Sequence, residues 1–217
     1  MIAMNRDREL LAAFLATLGA EQPRIPEALL KAVSEVPRRM FVPVDVDDPY
    51  EDRPAPIDCG ETMPGALAAV RLAALLDVEP EHRVLEIGTG SGYVTALLAR
   101  TALHVTTFDR YRRLVERAAQ RFKQLGITNV SSFFEDGREG YVAGSPFHRV
   151  IAHAAFPAPP RQFLEQLSPQ AVMICAIGPG DGEQTLVRLS KVGSRFEREE
   201  IGRVRYQPLA FGKAEVL

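Results

Sequence analysis

Read from the N-terminus, the apolar positions repeat first at helical spacing and later at strand spacing. Leu10, Leu11, Phe14, Leu15 and Leu18 fall at i, i+1, i+4, i+5 and i+8, one face of a helix. A second helix is expected from near Pro26, a residue suited to a helix N-terminus, to Val36, where Pro37 stops it. Pro43 to Pro49 and Pro54 to Pro56 are too rich in proline and acid for regular structure and read as an extended arm over a larger body. Leu67, Val70, Leu72, Leu75 and Leu76 then predict a helix over Ala66 to Leu76.

From Arg83 onward, short apolar runs alternate with helical segments. Strands are expected at Arg83 to Ile87, His104 to Phe108, Val130 to Phe134, Arg149 to His153, Val172 to Ile177, Thr185 to Ser190 and Phe196 to Val204. Helices are expected at Tyr93 to Ala102, Arg112 to Leu125 and Pro159 to Leu167. Strand and helix in series call for an α/β fold, a doubly wound and mostly parallel sheet with helices on both faces. The short link between the last two strands predicts an antiparallel C-terminal hairpin. No internal repeat or low-complexity tract interrupts the pattern. Residues 1–60 read as N-terminal helices and an arm, and 61–217 as the sheet with its flanking helices, all in one domain.

Composition narrows the function classes. The 217 residues carry 26 basic and 28 acidic side chains, a formal charge of −2, and neither sign forms a long block. A nucleic-acid or membrane-surface role therefore lacks its electrostatic footprint. At 46% hydrophobic and 25% charged residues the chain is of ordinary globular composition. No apolar run reaches the roughly 18 residues of a membrane span, and the longest, Ala66 to Leu76, is broken by Arg71. Arg6 and Arg8 ahead of the first apolar helix have the outline of a secretion signal, but Asp7 and Glu9 interrupt it. Cys59 and Cys175 have neither paired spacing nor a histidine cluster, which argues against a disulfide scaffold or zinc site and fits a reducing cytoplasm.

The sharpest chemical signal is Val84-Leu85-Glu86-Ile87-Gly88-Thr89-Gly90-Ser91-Gly92, an apolar strand running into a glycine-rich turn. Ligands of doubly wound sheets bind at such strand ends. A dinucleotide fingerprint would need glycine at residue 93, which is Tyr. The spacing is E-x-G-x-G-x-G, and an acid two residues before the first glycine suits a ligand bearing an ammonium group, as S-adenosylmethionine does, rather than a pyrophosphate. Asp109 ends the second strand, where it can accept from ribose hydroxyls, and Asp136-Gly137 ends the third, where a carboxylate can accept from an adenine amino group. Each feature alone is ordinary loop chemistry, but three in register on successive strand ends point to one nucleoside site. Arg110, Arg112, Arg113, Arg117 and Arg121, interleaved with Asp109 and Glu116, read as a solvated helix face, and Phe133-Phe134 as core.

These residues resemble the protein-L-isoaspartate O-methyltransferases, and the resemblance extends beyond the glycine loop. Val36-Pro37-Arg38 with Phe41-Val42-Pro43 looks like the family's N-terminal signature, and Tyr50-Glu51-Asp52-Arg53-Pro54 with Pro56-Ile57 like its next segment. Gly60-Glu61-Thr62-Met63 stands where the family has Gly-Gln-Thr-Ile. Ala154-Ala155, Leu167 to Pro169 and Val204 to Leu209 continue the likeness, which runs from about residue 26 to about 212. The resemblance implies a Rossmann-like methyltransferase that moves a methyl group from S-adenosylmethionine to the free carboxylate of L-isoaspartyl residues in proteins or peptides. It implies that Glu86, Gly88, Thr89, Gly90, Ser91 and Gly92 hold the methionine end, Asp109 with Arg110 the ribose side, and Asp136-Gly137 the adenine, with Thr62 and Met63 beside the methyl donor.

The departures fall on the acceptor side. The family's serine after Gly-Gln-Thr-Ile, whose hydroxyl contacts the acceptor carboxylate, is Pro64 here, and its later proline is Ala66. Proline offers neither a hydroxyl nor an N–H. Loss of one positioned donor costs on the order of a hundredfold in rate, unless Thr62 or a backbone N–H takes over. His153 stands where the family usually has Thr or Gly, and three readings of it are open: replacement of the lost donor, a base, or a ring that only bonds a neighbouring carbonyl or packs on the cleft wall. Pro169-Gln170-Ala171 replaces a Pro-Gly-Gly turn, a change of turn geometry. Two rivals to isoaspartyl methylation therefore stand: a methyltransferase of the same core acting on another acceptor, such as a small molecule, with His153 assisting, and a non-catalytic module that only binds S-adenosylmethionine.

Overall fold

Alternation along a strand sends Val84 to one face of the sheet and Leu85 and Ile87 to the other, and both faces are buried. Burial on both faces is why the strands read as continuous apolar runs. This arrangement is seen in a computed structural model that describes residues 2–21 and 24–214. Two helices, α1 (Ile2–Gly19) and α2 (Glu27–Glu35), open the chain. An irregular arm follows, ending in a two-stranded hairpin of β1 (Ala55–Pro56) and β2 (Thr62–Met63). Strands of two residues are too short for any periodicity to reveal, and the sequence reading has only irregular chain there.

Helix α3 (Ala66–Leu75) leads into the main sheet, whose strands are β3 (Arg83–Ile87), β4 (His104–Asp109), β5 (Val130–Phe134), β6 (Phe147–Phe156), β7 (Leu167–Ile177), β8 (Gln184–Val192) and β9 (Arg195–Val204). Helix α4 (Tyr93–Ala99) joins β3 to β4, and α5 (Arg112–Gln124) joins β4 to β5. The spatial order is β5-β4-β3-β6-β7-β8-β9, parallel through β7 and antiparallel across β8 and β9. The chain steps outward from β3 to β5 and then returns to β6 on the other side of β3. The strand order therefore reverses between β3 and β6, and a crevice opens at their carboxyl ends.

One buried cluster joins Leu29, Val33 and Phe41 of the N-terminal region to Val84, Leu97 and Ile151, with α2 packing on α1, α3 and α4. The opposite face gathers Leu85, Phe108, Phe147, Phe163 and Met173. The helix expected over Pro159 to Leu167 is instead a 3-10 segment, Arg161–Gln166. Pro157, Pro159 and Pro160 hold the approach extended, and the six residues before β7 are too few to sustain an α-helix. Phe133 stacks on Phe108 as core, with ring centroids 5.2 Å apart. Phe134 does not join the core: it is half-buried beneath Arg112 and Lys213.

Candidate functional site

The carboxyl end of β3 turns through Gly88 and Gly92 with φ of +92° and +84°, angles that favour glycine. A Cβ at Gly88 would lie 3.2 Å from the His153 Cβ, so this turn also needs the absent side chain for close approach to β6. The Gly88 and Thr89 amides donate to the Phe108 carbonyl at 2.8 and 3.1 Å, which ties the loop to β4. Around it lies a cleft at the carboxyl ends of β3, β4 and β6. Gly88, Thr89, Gly90, Ser91, Asp109, Arg110, Asp136, Gly137, Thr62, Met63, Pro64 and His153 all line it.

Two predicted site residues, Glu86 and Gly92, lie behind this wall. Glu86 is 0% exposed. Its Oε2 accepts from the Thr95 and Thr107 hydroxyls, the latter at 2.8 Å, and its Oε1 lies 3.1 Å from His153 Nε2. Thr107 in turn shares a 2.7 Å hydrogen bond with Thr89. The carboxylate predicted to face an ammonium group is thus met by side chains of α4, β4 and β6. Gly92 caps α4, and a Cβ there would meet Ala118 and Phe122 at 3.0 Å, so its space serves the packing of α5.

His153 faces the cleft with its side chain 18% exposed. Donation from Nε2–H to Glu86 is the assignment a carboxylate partner dictates, which leaves Nδ1 as the second ring nitrogen. The ring therefore bonds a neighbouring carboxylate, where the bland expectation had a carbonyl or simple packing.

Asp109 is buried at the end of β4, and burial pushes its carboxyl up to about 6. The Gly90 and Tyr111 amides, donating at 2.9 and 3.0 Å, oppose that rise. Each oxygen keeps lone-pair capacity for a hydroxyl donor. Arg110 Nε is buried without a hydrogen-bond partner among the described residues, a donor that suits the acceptor atoms of a nucleoside. Asp136 accepts from the Arg138 and Gly212 amides at 2.9 and 2.7 Å. At Gly137 a Cβ would come within 3.1 Å of Ile87. This donor and acceptor set, with a glycine-walled cradle, fits an adenosine ligand.

Three contributors carry no local signature. First, the arginine face of α5, exposed at Arg112, Arg113 and Arg117 as expected, also serves as a latch. Arg113 and Arg117 both pair with Asp58 in the loop between β1 and β2, the former at 3.1 Å. Arg121 donates to the Met40 and Ser91 carbonyls at 2.7 and 3.0 Å, joining arm and glycine loop. Spacing along one helix shows which residues share a face, but not what lands on it. Second, the loop this latch holds lays Ile57 over Gly90. Third, the tail returns to the cleft: Ala155 N–H donates to Gln207 O at 2.9 Å and Leu209 N–H to Ala155 O at 3.0 Å. Gln207, Pro208 and Leu209 thereby become part of its wall.

A family model described as protein-L-isoaspartate(D-aspartate) O-methyltransferase matches residues 12–214. The protein-L-isoaspartate O-methyltransferase of Azorhizobium caulinodans is 40% identical over 218 residues, covering 100% of both chains. That of Bradyrhizobium sp. (strain ORS 278) is 40% identical over 192 residues, 88% of this chain and 89% of the relative. A Plasmodium falciparum crystal structure, assigned as a protein-L-isoaspartate O-methyltransferase and solved with S-adenosyl-L-homocysteine, shares the fold. Its TM-score is 0.75 at 20% identity, covering 91% of this chain and 97% of that one.

Proposed function

The chain belongs to the protein-L-isoaspartate(D-aspartate) O-methyltransferase family of S-adenosylmethionine-dependent enzymes, and from that premise we propose how its cleft methylates isoaspartyl carboxylates. In this reading the chain works as one domain, with residues 1–60 covering the sheet. Gly88, Thr89, Gly90 and Ser91 hold the methionine end, Asp109 and Arg110 the ribose side, and Asp136 and Gly137 the adenine. Glu86 acts from behind, through His153, while Gly92 serves the packing of α5. Met63 and Thr62 border the donor. S-adenosylmethionine held there supplies a methyl group on a sulfonium leaving group.

An isoaspartyl carboxylate is ionised near neutral pH, so no residue has to remove a proton. What remains for the protein is to align the carboxylate and to exclude water. Pro64 borders the cleft and donates nothing, and the neighbouring Thr62 hydroxyl is the donor proposed for the acceptor carboxylate. The hydrogen bond between His153 and Glu86 favours an orienting role for the imidazole over a proton-removing one. The acceptor is proposed to be a protein or peptide, as the near-neutral charge suits. Among the described residues no helix is long and apolar enough to cross a membrane. The free thiols Cys59 and Cys175 suit the cytoplasm.

The observation that carries this reading is the meeting of the glycine loop, Asp109 and the Thr62–Pro64 loop in one cleft. Its test is transfer of labelled methyl from S-adenosylmethionine to an isoaspartyl peptide and its aspartyl twin, beside thermal stabilisation by S-adenosylhomocysteine. Selective labelling of the isoaspartyl peptide is expected. Stabilisation without labelling would remove the acceptor assignment, and absence of stabilisation would remove the cofactor assignment as well.

A further inference from the structure

Arg38 is 1% exposed, and burying a guanidinium is costly unless its donors find acceptors; Nε and Nη2 find them, while Nη1 has none among the described residues. Its Nε donates to the Pro49 carbonyl at 2.7 Å and its Nη2 to the Pro64 carbonyl at 2.5 Å. The guanidinium lies over the Tyr93 ring, 4.6 Å from its centroid. Tyr93 directly follows the glycine loop as the first residue of α4, and its ring meets Phe41 edge-on at 5.4 Å. One side chain thus touches the arm, the loop that borders the acceptor side of the cleft, and the helix that follows the donor loop.

Pro64 is the residue that cannot contact an acceptor carboxylate through a side-chain hydroxyl or an N–H, so the placement of its neighbours matters more. The loop is pressed against the arm at Gly65, where a Cβ would lie 2.4 Å from Asp52 Oδ1. There Ala66 N–H donates to Glu51 O at 3.2 Å and Ala68 N–H to Asp52 Oδ1 at 2.9 Å. We propose that Arg38 is a positioning residue for methyl transfer: through the Pro64 carbonyl and the Tyr93 ring it sets the acceptor loop in register with the donor loop. The proposal rests on the isoaspartyl methyltransferase reading above. Displacement by about 1 Å in such a site is enough to slow reaction on the order of a hundredfold.

Arg38→Met and Arg38→Lys in the full chain test it, with turnover on an isoaspartyl peptide expressed per S-adenosylhomocysteine-binding site. Arg38→Met is expected to lower kcat about tenfold to a hundredfold while the S-adenosylhomocysteine Kd stays within about threefold. Arg38→Lys, which can reach one of the two carbonyls, should fall between. Unchanged kcat per binding site in both variants, or cofactor affinity lost in step with kcat, would reduce Arg38 to a structural residue. If Arg38→Met does not fold, Arg38→Lys decides by the same criterion. Amide exchange gives a readout free of activity: in Arg38→Lys the Ala66 and Ala68 amides should exchange faster while those of Gly88 and Thr89 do not. Equal exchange at all four would overturn the positioning role, whereas failure of the unsubstituted chain to label isoaspartyl peptide would strike only the acceptor reading.

Discussion

The Nε2 atom of His153 lies 3.1 Å from the Oε1 atom of Glu86, and this contact makes a cleft-facing ring the partner of a fully buried carboxylate. Replacing His153 with Ala leaves that oxygen without its donor and is expected to cost about 1–3 kcal/mol of stability. His153→Gln keeps an N–H donor and should retain both most of the stability and kcat within about threefold. Denaturant unfolding and turnover on the isoaspartyl peptide measure the two. A hundredfold fall in kcat for His153→Gln, at unchanged cofactor affinity, would instead make the ring a proton-transfer group.

Asp109, proposed to hold the ribose side, is expected to link cofactor affinity to pH. Burial pushes its carboxyl up to about 6 in the free protein. Ribose hydroxyls donate to the ionised form, so above that value binding requires no proton loss. Below it the folded protein holds a proton that must leave first. The S-adenosylhomocysteine Kd is therefore expected to be flat from pH 7 upward and to weaken towards tenfold per pH unit below about pH 6. Calorimetric titration in Asp109→Asn should show weaker binding without that slope. A flat profile in the unsubstituted chain would contradict the assigned role.

Gly92 and Gly88 sit in the same loop yet should fail differently. Gly92→Ala drives a methyl group into Ala118 and Phe122 at a φ of +84°. The expected cost is about 1–3 kcal/mol of stability, with S-adenosylhomocysteine affinity of the folded fraction unchanged, because Gly92 lies behind the wall. Gly88→Ala presses on His153 within the wall and should weaken binding as well. Thermal melts with and without ligand separate the two effects.

The latch at Asp58 predicts a salt-sensitive exit for the cofactor product. Arg113 and Arg117 are about half exposed, so each pair is worth less than about 1 kcal/mol. Asp58→Asn should raise the S-adenosylhomocysteine dissociation rate by about two- to tenfold at low salt. The difference should shrink at high ionic strength. Stopped-flow displacement reads this directly, and an identical rate in the variant would show that the loop opens without breaking these pairs.

Local pattern made the sheet legible, and with it the meeting of the glycine loop, Asp109 and Asp136 at one edge of that sheet. The seven sheet strands, the glycine loop and the acids Asp109 and Asp136 are all short-range features, each visible within a few residues of sequence. Long-range partners were not. Nothing near Glu86 in sequence announces Thr107 or His153, and nothing near Arg121 announces Met40. Gln207 to Leu209 became cleft wall only because β6 pairs with them beyond His153. Arg38 was visible as part of a family signature, but its reach to Pro64 depends on the arm's path. The 3-10 segment at Arg161–Gln166 runs the other way: a helix is expected over Pro159 to Leu167, where three prolines and a six-residue span do not sustain one.

This cleft, with Pro64 in its acceptor loop, is proposed to esterify isoaspartyl carboxylates. The most direct measurement offers the chain an equimolar mixture of an isoaspartyl peptide and its aspartyl twin with S-adenosylmethionine, then locates the added methyl group by fragment mass spectrometry and tests its lability to base. A base-labile methyl ester is expected on the isoaspartyl carboxylate and none on the aspartyl twin. Equal modification of both peptides, a base-stable methyl group, or no transfer by a chain that binds S-adenosylhomocysteine would contradict it.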